Sequence, residues 1–340
     1  MPVTDLHAHI IVADSLRAMH EAYPEVGPEL LEEENGYYLR YPGRERLGPM
    51  PAQMFDVDAR ISEMDKQRVD VQVLAVPPPQ YHYHVPTEPG MDFARMQNDG
   101  MIAVAEQHPD RFQVFATLPL QDIDAALTEI ERVAANPIVR GVELGSNVNA
   151  MNLDDASLEP LWQELEDRNL PAWFHPDQRS IAGSDRIKSY YLQNFIGIPL
   201  ETTIAIGSLI FGGVPKRHPG LRFGFCHGGG FAPYQVGRFD HGQRVRPEPK
   251  ANIESTPFSE YFRELYFDSL THDPLSLEML GRRVGWDHVV LGSDYPFDMA
   301  NMDPVTAVEA LGLPEEDQRK VLEENAVRFL RPVDTAATTT

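Results

Sequence analysis

The chain has 340 residues, 42% apolar and 24% charged, an ordinary globular composition in a chain long enough to bury a sizeable core. Its formal net charge of −23 argues against nucleic acid and against an anionic membrane surface, since both need clustered Lys and Arg. An anionic substrate stays open, because a few arginines can reverse the sign inside a cleft.

Val3 to Leu6 reads as a first strand that sends His7 and His9 to one side, since alternate residues of an extended chain share a face. Residues 13–55 read as an irregular insertion or lid, with Glu32-Glu33-Glu34, Tyr37, Tyr38 and Tyr41 among several Pro and Gly. Asp58 to Arg68 has helical spacing. Val69 to Val76 alternates and is β-branched, a second strand stopped by Pro77-Pro78-Pro79. Tyr81-His82-Tyr83-His84 falls in the following loop, where packing or substrate contact is the expected role.

Met91 to His108 reads as a helix, Phe112 to Leu118 as a third strand and Ile123 to Ala135 as a helix. Ile138 to Leu144 is a fourth strand, Leu158 to Arg168 a helix, and Pro171 to Phe174 a fifth strand. Leu200 to Phe211 is an apolar helix closed by Gly212-Gly213. Leu221 to Cys226, Leu265 to Phe267 and His288 to Leu291 complete eight strands, with helices over Phe231 to Val245 and Pro274 to Arg283 between them. Helices near Pro304 to Leu311 and Glu315 to Leu330 follow, and 333–340 read as a disordered tail. Eight strands alternating with helices predict one α/β domain over 1–332, a (β/α)₈ TIM barrel with an insertion after strand one.

No run approaches the ~20 apolar residues of a membrane span, and no signal peptide is read. Cys226 is the only cysteine, which fits a reducing cytoplasm.

In such a barrel, reactive groups sit at the carboxyl ends of the strands. His7 and His9 follow strand one, His175 strand five, His227 strand six and Asp294 strand eight. Any one of them alone reads as an ordinary surface or core residue; five converging on one mouth suit a divalent metal. Zn²⁺ is the first expectation, and Mn²⁺, Fe²⁺ or Co²⁺ accept the same donors. Gly228-Gly229-Gly230 lacks the Lys-Ser/Thr of a phosphate loop and is expected to let backbone approach the site closely. Cys226 is expected to pack as a small apolar residue.

These blocks resemble the amidohydrolase superfamily, and within it the branch containing aminocarboxymuconate-semialdehyde decarboxylase. The matching stretches are Asp5-Leu6-His7-Ala8-His9, Asp58 to Asp65, Phe174-His175-Pro176, Pro199 to Ile206, Cys226 to Gly230, His272 to Leu277 and Leu291 to Phe297. The resemblance implies one metal, usually zinc, held by residues matching His7, His9, His175 and Asp294. His227 matches the histidine that activates metal-bound water. Arg238 and Arg246 match arginines that reach into a neighbouring subunit's site to hold a substrate carboxylate, implying a homodimer. Arg46 lies near the family's other substrate arginine, with an offset local register. The family decarboxylase has Trp-Asp after the His-Pro; here Pro176 is followed by Asp177-Gln178-Arg179, a change in the segment that lines the substrate pocket.

The implied function is metal-dependent, non-oxidative decarboxylation of an unsaturated or aromatic acid, most like that of 2-amino-3-carboxymuconate-6-semialdehyde. His227 would serve as base, and Asp294 would deliver a proton while staying beside the metal. The alternative is metal-dependent hydrolysis of a lactone, ester or amide, the commoner chemistry of the wider superfamily.

Overall fold

A computed structural model describes residues 1–332. The 333–340 segment, read above as a disordered tail, lies outside the described residues. In chain order the strands are β1 Thr4–His9, β2 Glu29–Glu33, β3 Gly36–Arg40, β4 Leu47–Met50, β5 Val71–Ala75, β6 Phe112–Ala116, β7 Val139–Gly145, β8 Ala172–His175, β9 Phe223–Phe225, β10 Tyr266–Asp268 and β11 Val289–Val290. Eight of them form one parallel sheet in the order β1-β5-β6-β7-β8-β9-β10-β11. The sheet curls until its ends meet, with Leu6 N–H donating to Leu291 O at 3.0 Å and His9 N–H to Tyr295 O at 2.7 Å. This is the (β/α)₈ barrel expected from the alternation of strands and helices.

Helices separate the strands, and several start on a carboxylate cap. Asp56, Asp122 and Asp273 each accept from a backbone N–H in the first turn of the helix that follows. The main core lies between sheet and helices. The barrel interior holds Leu6, Val73, Ala75, Phe115, Trp173 and Val290, sealed from below by Phe329 of the C-terminal helix. The Trp173 and Phe329 rings meet edge to face at 5.5 Å, and each such fully buried ring contributes about 1.5–3 kcal/mol.

Two sequence expectations need correction. Residues 13–55 are not irregular: they form a helix, Ala13–Ala22, and an antiparallel meander of β2, β3 and β4. The hairpin turns on Glu34-Asn35 into Gly36 at φ 133°, but three of the five residues of strand β2 are acidic and no strand here has a clean apolar alternation to betray it. The apolar helix is also longer than expected. A π-turn at Gln193–Gly197 runs into Ile198–Phe211, giving 19 residues apolar and long enough to cross a membrane by composition. Its Ala205, Ile206, Leu209 and Ile210 pack into the main core, so it serves as one of the barrel helices.

Candidate metal centre

A β-bulge prepares the first two candidate ligands. The β1–β5 register shifts between Asp5 and Ala8, so Leu6 stays in the barrel interior while His7 and His9 both point into the mouth. Asp5 stabilises the bulge: its carboxylate accepts from His7 N–H at 3.0 Å, Ser293 N–H at 3.1 Å and Ser293 Oγ at 2.5 Å. One carboxylate thereby joins the segment bearing His7 to the residue before Asp294.

His7, His9, His175, His227 and Asp294 converge as expected. The His7, His9 and His175 rings lie 5.1–5.2 Å apart, centroid to centroid. Asp294 Oδ1 is 3.2 Å from both His7 Nε2 and His9 Nε2, and Asp294 Oδ2 is 3.6 Å from His227 Nε2. His7 and His9 are fully buried, whereas the His227 side chain keeps 17% exposure and is the most open of the set.

Donor chemistry tests the fit to a cation. The Nε2 atoms of His7, His9 and His175 and Asp294 Oδ1 are buried without a hydrogen bond. Four such groups facing one point are costly unless something positive joins them. The opposite nitrogens are occupied: His7 Nδ1 donates to Asp268 at 2.7 Å, His9 Nδ1 to Val76 O at 3.2 Å, and His175 Nδ1 to Pro176 O at 2.9 Å. That pattern fixes each ring with a bare Nε2 turned inward, the arrangement that metal-binding histidines need. The residues fit a single divalent metal held by three imidazoles and one carboxylate.

Charges within the cluster push its members in different directions. Burial alone would raise Asp294, yet His7, with His227 and His9, holds its carboxyl well below the usual range. Burial, followed by His227, His9 and His7, pushes His175 well below the ordinary imidazole value. His7 goes the other way: burial opposes it, but Cys226, Asp294 and Asp268 raise it well above the ordinary value. Cys226 itself is a buried thiol pushed up by desolvation, in keeping with the apolar role expected of it.

His227 and Asp294 occupy left-handed backbone, at φ 55° and 61°. Non-glycine residues hold such angles only where their surroundings impose them. Gly230 shows the imposition, since a Cβ there would lie 2.2 Å from Pro199 O. The triple glycine thus brings backbone close, as its sequence suggests.

Two residues that brace the site escape the sequence reading. Asp268, at the end of β10, accepts from His7 Nδ1, from His227 N–H at 2.9 Å and from Gly228 N–H at 2.7 Å. It orients a ligand and the open histidine together; an aspartate ending a barrel strand was the available signal. Arg60, fully buried, donates to His9 O, to Gln53 O at 3.2 Å and to Gln72 Oε1 at 3.0 Å, and lies 4.8 Å from the Tyr295 ring. Burial lowers it to about 10.

The arginines are not brought to the mouth within one chain. Arg46 pairs with Glu33 and covers the Tyr38 ring at 4.2 Å on the meander. Arg246 pairs with Glu248, and Arg238 is exposed on the same helical segment. None of the three lines the cavity over the cage within one chain, and for Arg238 and Arg246 the expected contact is with a neighbouring subunit's site. His82 and His84 take no part in the cage either: His82 is buried against Phe93 and donates from Nε2 to Gln80 Oε1 at 3.1 Å.

Over the cage lies a cavity of ≈ 180 Å³, walled by Leu39, Met50, Pro78, Gln178, Phe297 and Met299. Arg179 is not part of its wall; it is stacked 4.5 Å from the Tyr41 ring and donates to His84 at 2.8 Å. Asp177 is pushed up to about 6 by burial. A second groove of ≈ 600 Å³ opens beside His227 between Phe195, Phe231, Tyr234 and Leu275.

An amidohydrolase family profile matches residues 4–331. The 2-amino-3-carboxymuconate-6-semialdehyde decarboxylase of Dictyostelium discoideum is 36% identical over 277 residues, 81% of this chain and 77% of that one. The γ-resorcylate decarboxylase of Rhodococcus jostii strain RHA1 is 27% identical over 89% of this chain and 95% of its own. A dihydroxybenzoic acid decarboxylase from Polaromonas, solved with bound manganese, superposes with a TM-score of 0.79 at 22% identity, covering 96% of each chain. The chain belongs to the amidohydrolase family, in its branch of metal-dependent decarboxylases.

Proposed function

We propose that this protein removes CO₂, without oxidation, from an unsaturated or aromatic carboxylic acid at the His7–His9–His175–Asp294 centre. The observation that carries the reading is the set of three buried, unpaired Nε2 atoms meeting Asp294 beside the more open His227. A divalent metal there would supply Lewis acidity. Zinc suits the nitrogen-rich donor set; the manganese of the Polaromonas enzyme makes Mn²⁺ the rival.

The chain's own residues handle the proton. Decarboxylation breaks the carbon–carboxylate bond, CO₂ leaves, and the electron pair left on carbon must take up one proton. His227 Nε2 and Asp294 Oδ2 lie 3.6 Å apart at the open side of the cage and can hold and deliver it. Leu39, Met50, Pro78 and Phe297 wall the cavity with apolar surface, which suits a flat conjugated acid and keeps water from competing.

The working unit is a homodimer on this reading. Tyr234 and Leu275 are 75% and 73% exposed beside the groove at His227, on the face whose helix also carries Arg238 and Arg246. A partner covering that face would bring its arginines toward the substrate carboxylate, as bidentate donors that Lys could not replace. The compartment is the cytoplasm, in keeping with a lone buried thiol.

The test is a screen of metal-loaded protein against carboxymuconate semialdehydes and hydroxybenzoates, following CO₂. Release of CO₂ without a new carboxylate or amine is expected; a new carboxylate or amine from a lactone, ester or amide would replace this reading with hydrolysis. Mixing Arg246→Ala with His227→Ala chains should restore part of the activity neither has alone, and no recovery would sink the shared site.

A further inference from the structure

Beneath the ligand layer sits a carboxylate that the chemistry above does not use. Glu143 lies on β7, two residues before Gly145, and Gly145 pairs in register with His175. Alternate residues of a strand share a face, so Glu143 occupies the layer directly below the cage. It is 1% exposed. Its Oε1 accepts from Tyr81 O–H at 2.8 Å, while its Oε2 is buried with no partner. Tyr81 is held in turn by stacking on Tyr83, whose hydroxyl accepts from Gly145 N–H at 3.0 Å. Gly145 makes the arrangement possible, since a Cβ there would come within 2.9 Å of the Tyr83 ring.

A buried carboxylate oxygen without a donor is unfavourable unless a positive charge faces it. Burial pushes the Glu143 carboxyl up, and His9 and His7, both members of the cage, act against that rise. The ligand set offers one formal negative charge, from Asp294, to a cation carrying two. Asp268, hydrogen-bonded to His7 Nδ1 and to the His227 and Gly228 N–H groups, supplies a second negative charge from the side, and the donor-free oxygen of Glu143 lies where a further one can act from below.

We infer that Glu143 is a positioning residue whose buried carboxylate acts as the counter-charge of the metal centre from the layer below, raising its affinity for a divalent cation without ligating it. Because this rests on His7, His9, His175 and Asp294 holding a metal, the control is binding by the unaltered chain.

The experiment titrates metal-free protein with Mn²⁺, following free ion by electron paramagnetic resonance, and with Co²⁺, following its visible absorption. Glu143→Gln keeps the shape and the acceptor for Tyr81 but removes the charge. It should weaken Mn²⁺ binding about 10–100-fold, the usual effect of losing an outer partner of a metal site. The Co²⁺ band positions should stay put, because no ligand is lost. Tyr81→Phe, which removes the hydrogen bond and leaves the charge, should bind as tightly as the parent, and Glu143→Asp should recover part of the affinity. Equal affinity in Glu143→Gln and the parent overturns the inference, as does weakening by Tyr81→Phe equal to that of Glu143→Gln, which would mark a packing role. A Co²⁺ spectrum altered by Glu143→Gln overturns it too, by making Glu143 a ligand. Failure of the parent itself to bind either ion sinks the metal reading instead.

Discussion

At the strand ends every ligand nitrogen is backed by a fixed acceptor: a carboxylate behind His7, and main-chain oxygens behind His9 and His175. The roof above them is held differently. Beside a small apolar cluster of Leu39, Tyr41, Met54 and Phe93, its polar contacts are an arginine on a tyrosine ring, Arg179 over Tyr41, and exposed ion pairs such as Arg46–Glu33. Exposed pairs contribute at most about 1 kcal/mol each, whereas a buried, hydrogen-bonded set is costly to disturb. The contrast teaches where variation can accumulate. On the proposed function, the cage sets the reaction class, and the roof can be rebuilt for another substrate without moving a candidate ligand. The Asp177-Gln178-Arg179 departure fits this division: it puts Gln178 into the cavity wall and leaves His175, two residues earlier, in place.

The sharpest way to break the comparison is inside the cage. His227→Ala should keep the metal and lower turnover about 10²–10⁴-fold, the range for a lost proton-transfer group. His175→Ala should lose the metal itself. Metal content by emission spectroscopy, beside CO₂ release, separates the two. A metal-free His227→Ala protein would make His227 a ligand and remove its proposed role.

One step out, Asp268→Asn tests whether the backing acceptors matter. An amide can still accept from one N–H, but it no longer carries the charge opposite His7 Nδ1. Metal affinity should fall about 10–100-fold. An unchanged affinity would show that the β1 bulge alone aims His7.

The same division explains what the sequence could reveal. The eight barrel strands were legible because β-branched runs such as Val71–Ala75 are buried on both faces, and motifs at the ends of β1, β8, β9 and β11 announced the candidate site residues. The meander over residues 29–50 was not, because its strands cover the mouth with mixed side chains such as Glu32, Tyr38 and Arg40 and carry no single buried face. Asp268, Glu143 and Arg60 were hidden for another reason. The strand-end position of Asp268 aside, their importance lies in partners far along the chain, as with Asp268 and His7, 261 residues apart, and no local pattern encodes such a pairing. Arg238 and Arg246 were singled out by family resemblance, and a single chain leaves them on the surface.

The smallest effect is expected under the roof, at His82. It is 1% exposed, packed on Phe93 at 5.0 Å, and held well below its ordinary value of 6.5 by burial first and then by the charges of Arg179 and His84. Its folded form stays neutral while the unfolded chain takes a proton below pH 6.5, so stability falls as pH drops through that value. The loss assignable to one such group between pH 7 and 5.5 is about 1 kcal/mol. His82→Gln, which keeps a donor toward Gln80 and cannot titrate, should flatten the acid limb of a urea-denaturation series by that amount on metal-loaded protein, where His175 is held neutral by the ion. Parallel acid limbs for parent and variant would mean that His82 gains its proton in the folded state, and so that the roof opens to water far more readily than its packing implies.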